Sequence, residues 1–176
     1  KDVALSVACI NATPYGESQE FQRTFSEAAG IDLGKSEIRI STDLICDQGD
    51  VQENYYSMQR LIAQLSAGEL DALASDEDVI TSYMYQDAFA DLSQVLDLQA
   101  LDGYLLYADM AVVEQLRENS EIVPSVPDPT KPELMERPVP MAVKIPGDAA
   151  FVRQYFYYYD RDIYLGLVVN ASNADN

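Results

Sequence analysis

The sequence of 176 residues contains no histidine. That absence removes Ser-His-Asp hydrolysis, His-rich metal sites and ordinary imidazole acid–base chemistry. Basic residues are scarce as well: 11 Lys and Arg stand against 30 Asp and Glu, a formal net charge of −19. A surface of that sign repels polyphosphate, so nucleic acid is not expected as a partner. There are only two cysteines, Cys9 and Cys46, and no CxxC pair. Two thiols without histidine cannot complete a tetrahedral zinc site. Their apolar neighbours favour two buried free thiols, with a single disulfide left open. No run approaches the ~18–20 apolar residues of a membrane span, and no signal peptide opens the sequence. Membrane attachment is therefore expected only through an N-terminal segment outside this sequence. What is present is 48% apolar residues, enough for a core and too many for an acidic disordered tail. One α/β domain over residues 1–176 is the expectation.

Val3 to Ile10 is a short, mostly apolar run without a polar face, which reads as a strand buried on both sides. The turn-rich Asn11-Ala12-Thr13-Pro14-Tyr15-Gly16 ends it. Ser18 can cap a helix carrying Phe21, Phe25 and Ala28, with Gly30 as its stop. Glu37 to Ser41 alternates polar and apolar residues and predicts a strand running on to Leu44-Ile45. After Asp50, Val51, Tyr55, Met58, Ile62 and Leu65 are spaced 4, 3, 4 and 3, the stripe of an amphipathic helix expected to face inward. Asp71 to Ser75 reads as a strand, and Ser75-Asp76-Glu77-Asp78 as a capping pattern before a helix that buries Val79, Ile80, Tyr83 and Met84. This β-α-β-α-β-α order predicts a parallel sheet with right-handed crossovers.

Residues 88–106 read as short helical pieces and turns, and 109–118 as a helix with Met110, Val113 and Leu116 inward. Six of the eight prolines fall in residues 124–140, a rigid surface excursion within an irregular 93–140 stretch. Met141 to Ile145 returns as a strand, Asp148 is placed to cap a short helix through Phe151 and Tyr155, and Ile163 to Val169 is the last strand. The expected fold is thus a three-layer αβα module with a mostly parallel sheet of about five strands.

The stretch "RLIAQLSAGELDALASDEDVITSYMYQDAFADLSQVL" resembles the first lobe of type 2 periplasmic-binding-like proteins. In that family a helix leads through a Gly into a "G-x-x-D-x-x-x-x-D" strand and turn, then to a short helix ending in "L-x-D-L". The matching positions are Gly68, Asp71, Ser75-Asp76 and Phe89-Ala90-Asp91-Leu92. The ending "DIYLGLVVNASNADN" is similar to the close of such modules in extracellular proteins of Gram-positive gut bacteria. The resemblance implies an extracellular, membrane-tethered, non-enzymatic solute-binding module. It departs from the family in having little room for a second lobe, of which 93–140 would be a reduced remnant.

In an open α/β sheet, ligands bind beyond the carboxyl ends of the strands. Asn11, Thr13 and Tyr15 after the first strand, Asp43 (with Thr42), or alternatively Asp47, near the end of the second, and Ser75 and Asp76 after the third are the candidate ligand-binding residues. Asn11 and Thr13 can hydrogen-bond a polar ligand, Tyr15 can stack on it, and Asp76 can accept from hydroxyls or an amine. The plainer reading is that Asn11 and Thr13 shape a turn while Ser75 or Asp76 caps a helix. Tyr155, Tyr157, Tyr158 and Tyr159 suit a sugar- or peptide-binding platform or, more simply, part core and part amphipathic surface. The acids at 43, 47 and 50 and at 76–78 match no calcium-loop pattern, and no carboxylate pair is marked out for glycoside chemistry. No cofactor, metal or catalytic residue is implied. The expected function is binding of a small polar or cationic solute drawn by the negative charge. The alternative is a surface structural or protein-interaction module that keeps the fold without a ligand pocket.

Overall fold

The computed structural model describes residues 1–16, 19–157 and 161–171. Its centre is a six-stranded sheet in the order β2-β1-β3-β6-β5-β4. The strands are β1 (Asp2–Ile10), β2 (Ser36–Leu44), β3 (Ala72–Ser75), β4 (Leu105–Asp109), β5 (Pro138–Ile145) and β6 (Ile163–Leu167). The helices are α1 (Gln19–Ala29), α2 (Val51–Ser66), α3 (Glu77–Met84), α4 (Met110–Glu118) and α5 (Ala150–Tyr155).

β1 pairs in parallel with both β2 and β3, as the alternation of elements predicts. The other half corrects the expectation of a mostly parallel, roughly five-stranded sheet. β6 runs antiparallel between β3 and β5, and β4 is antiparallel to β5, so the sheet is mixed. The physical reason lies in the connections. A parallel crossover must carry the chain back along the sheet. The six residues of α5 span only about 9 Å, against about 26 Å for a strand the length of β5. α5 by itself thus makes no full crossover, and β6 returns as an antiparallel neighbour of β5.

Alternate residues of the central strands separate into two cores. Val7, Cys9, Ala72 and Ala74 pack with Val152 and Tyr155 of α5, and Phe21 of α1 joins them. Ala8, Ile10 and Leu73 pack with Leu61 of α2, Ile80 and Met84 of α3 and Val113 of α4. The period-2 pleat sends successive side chains to opposite faces, which is why a strand with no polar face is needed there.

Within 93–140, β4 and α4 join the main sheet and its core. Asp109, the last residue of β4, joins α4 to the proline-rich segment. It caps α4 by accepting from the Ala111 N–H at 3.1 Å. It also accepts from the backbone N–H groups of Glu136 at 2.9 Å and Arg137 at 3.0 Å, tying that segment to the start of α4. Pro138 and Pro140 belong to β5 rather than to the excursion, at the end that β6 does not reach, where a missing N–H costs no ladder bond. One capping expectation is met by the second of its two residues, and another is corrected. Asp76, not Ser75, caps α3; Ala149 precedes α5 without a side-chain cap, so Asp148 does not serve; and Ser18 lies outside the described residues.

Candidate functional site

The carboxyl ends of β1, β2 and β3 meet at one edge of the sheet; the sequence places Asn11, Cys46-Asp47 and Asp76 just beyond them and Ser75 at the last position of β3. Asn11 adopts a left-handed backbone, φ 59°, a conformation asparagine tolerates better than most residues. Its side-chain amide donates to the Cys46 carbonyl at 2.8 Å and accepts from the Cys46 N–H at 2.7 Å. The Asn11 side chain therefore closes the β1–β2 edge in place of another strand residue, and it is 4% exposed. The buried Ser75 hydroxyl donates to the Ile10 carbonyl at 2.8 Å. The Asp76 carboxylate accepts from the Val79 N–H at 3.1 Å and faces the Arg161 guanidinium at 3.7 Å.

The other expected residues make their contacts elsewhere. The Thr13 N–H donates to the Tyr155 carbonyl at 2.8 Å, and the Thr13 carbonyl accepts from the Tyr157 N–H at 3.1 Å. Tyr15 stacks on Tyr157 with centroids 4.4 Å apart, both rings solvent-exposed. Asp43 pairs on the surface with Arg60 of α2. Of the tyrosine cluster, Tyr155 is core and Tyr157 surface, while Tyr158 and Tyr159 lie outside the described residues. Cys9 and Cys46 are free thiols. Among the described residues no three His, Cys, Asp or Glu side chains are grouped as a metal site would need.

The open space at this edge lies beside α2. A cavity of about 310 Å³ is walled by Ile10, Leu44, Cys46, Val51, Met58 and Tyr83, with Asp47, Asn54 and Ser57 as its polar points. Two of these are held by the approach to the helix: Ser57 accepts from the Ile45 N–H at 3.1 Å, and the Asn54 amide donates to the Asp50 carbonyl at 2.9 Å. A second cavity of about 370 Å³ follows along the same helix, walled by Ile62, Leu65, Tyr83, Ala88, Val168 and Val169. Tyr83 of α3 borders both.

Four of the five residues of the α2 stripe correct the expectation of an inward apolar face, while Leu65 packs against the core as expected. Val51 is 88% exposed, Tyr55 54%, Met58 48% and Ile62 50%. The inner line of the helix runs instead through Asn54, Ser57 and Leu61, and Leu61 is the one buried residue of α2. The signal was available in the spacing: 54, 57, 61 and 64 are also separated by 3, 4 and 3. The Asn and Ser on that line are short groups able to satisfy the exposed backbone of the preceding loop.

Neither reactive-looking group in the first cavity is activated. Burial raises the Cys46 thiol pKa, and the neighbouring Asp47 and Asp76 carboxylates raise it further. The Tyr83 hydroxyl is pushed up to about 12 by burial, with Cys46 and Asp47 adding to the effect. Near neutral pH the site thus holds a thiol rather than a thiolate and a neutral phenol, an arrangement suited to contact rather than to nucleophilic chemistry.

Compared with protein-family models, with curated proteins and with solved structures, the chain matches none.

Proposed function

We propose that the chain is a non-enzymatic interaction module that docks a protein partner along α2. The observation that carries this reading is the outward apolar stripe Val51, Tyr55, Met58 and Ile62, bordered by two adjoining cavities that share Tyr83. Contiguous exposed apolar surface rimmed by polar residues is characteristic of interaction sites. The polar side chains expected to hold a solute support the same reading, because Asn11 and Ser75 spend their hydrogen-bonding capacity on backbone groups of the fold. At the finer level of fold, we read the separate cores on the two sheet faces as a three-layer αβα arrangement, in keeping with the resemblance to a type 2 binding-protein lobe.

Two assays on the purified chain test the reading. Nile red, a neutral probe of apolar surface, is expected to fluoresce on binding the chain and to lose most of that signal in Met58→Gln/Ile62→Gln. A thermal-shift panel of amino acids, polyamines, sugars and divalent cations is expected to leave the midpoint unchanged. A polar solute at about 100 times its dissociation constant would add about 2.7 kcal/mol. Such a shift, abolished by Asp76→Asn, would replace the docking reading with solute binding at the strand ends.

A further inference from the structure

Resting on the docking reading above, we infer that the partner segment is a basic amphipathic helix laid along the groove between α2 and α3. The groove has the dimensions of a helix site. From Val51 to Ile62 the stripe runs about 17 Å, and the α2 residues that line the two cavities are on average roughly 13 Å apart along the helix, close to two helical turns. Apolar anchors at i and i+7 or i+8 of an incoming helix would reach one cavity each, the usual geometry of a helix held in a groove. Tyr83 between the cavities offers a flat ring to the residues that bridge the two anchors.

Charge selects the kind of helix. Residues 43–88, which supply α2, α3 and most of the groove, contain ten acids and a single cation, Arg60. Arg60 is already paired with Asp43. Asp47 borders the first cavity; Asp87 borders the second, where Arg117 already holds its carboxylate with two hydrogen bonds. Asp50 and Glu53 stand at the start of α2, and Glu77 and Asp78 at the start of α3, beside the buried Asp76 that faces Arg161. Lysines and arginines flanking an apolar stripe would meet this rim, gaining attraction on approach and at the docked edge. A second copy of this chain is a poor occupant, because it would bring one −19 molecule against another.

Fluorescence anisotropy with the full chain tests the inference. The probes are fluorescein-labelled synthetic helices of about 18 residues that share leucines at i, i+4, i+7 and i+11. Their remaining positions are rich in Lys and Arg, in Gln, or in Glu, and a fourth basic peptide carries two central prolines. The expected result is that the basic helix binds at least about tenfold tighter than the Gln-rich one. The Glu-rich helix should show no saturable binding, and the proline version should bind weakly. Met58→Gln/Ile62→Gln, which leaves every charge in place, should weaken the basic helix by tenfold or more while circular dichroism stays native.

Equal binding of the basic helix to the double variant would mean generic attraction to an acidic surface and would overturn the inference. Equal binding of the basic and Gln-rich helices, both lost in the variant, would remove the charge selection but leave the docking face standing. Undiminished binding of the proline peptide would overturn the helical occupant. If no peptide binds but sedimentation shows a dimer that Met58→Gln/Ile62→Gln dissociates, the occupant is a second copy and the inference fails. If no peptide binds, the chain is monomeric and Nile red gives no signal, this inference and the docking reading fall together.

Discussion

Asn11 is a residue whose polar side chain looks like a ligand group in the sequence and acts as backbone in the fold. Its two hydrogen bonds to Cys46 and its positive φ both depend on asparagine. Asn11→Ala loses both bonds and places a less suitable residue in the left-handed region. The expected cost is about 2–4 kcal/mol, read by urea denaturation. Asn11→Gly, which relieves the φ strain but not the lost bonds, should recover only part of it. Asp109 is the second such residue. Burial pushes its carboxyl pKa up, but the backbone N–H groups of Glu136, Arg137 and Ala111 outweigh that and hold it below the usual carboxylate range. A depressed folded-state pKa means that the unfolded chain binds the proton more readily. The stability it contributes is therefore complete above about pH 4 and is lost as pH falls through the lower folded value. Unfolding free energies measured between pH 2 and 6 should show this loss, and Asp109→Asn should start less stable and flatten it. That Asn11 shapes a turn is the plainer reading of the sequence, but the partners of neither residue were legible, since they are backbone groups far along the chain: position 46 for Asn11, positions 136 and 137 for Asp109.

Elements with strong local signals were the legible ones. α2 begins at Asp50 with a reciprocal capping box to Glu53, and Gly30 and Gly68 sit just past helix ends with positive φ. The inner strand β1 was recognisable because a buried central strand needs no polar face. The orientation of α2 was not legible. Two lines on the helix share the same 3–4 spacing, and the more hydrophobic one faces solvent because the other supplies hydrogen bonds to the loop before it. β6 shows a different kind of hidden constraint. A Cβ on Gly166 would lie 2.6 Å from the Phe89 ring, closer than packed carbons tolerate. Gly166→Ala should therefore destabilise the chain by about 1–3 kcal/mol. Phe89→Leu in the same chain should make the pair less costly than the sum of the two single changes, a coupling that a double-mutant cycle reads directly.

At the scale of the whole molecule, the α/β class and the parallel β2-β1-β3 half followed from the alternation of elements. The antiparallel half did not, because the short α5 looks in sequence like one more crossover and is too short to act as one. Charge and apolar surface then combine. The quarter of the chain from residue 43 to 88 carries ten acids, one cation and the outward stripe of α2, so a strongly acidic stretch also holds an unburied apolar face. A docking face on α2 requires that stripe to belong to the surface and not to the core. Urea denaturation of Met58→Gln/Ile62→Gln beside Leu61→Gln tests it most directly. The double variant should lose no more than about 1–2 kcal/mol, as fits half-exposed side chains replaced by a good helix former. Leu61→Gln, which buries an amide in the core on the same helix, should lose about 3 kcal/mol or more. A double variant as damaged as Leu61→Gln would place the stripe in the core and contradict the docking face.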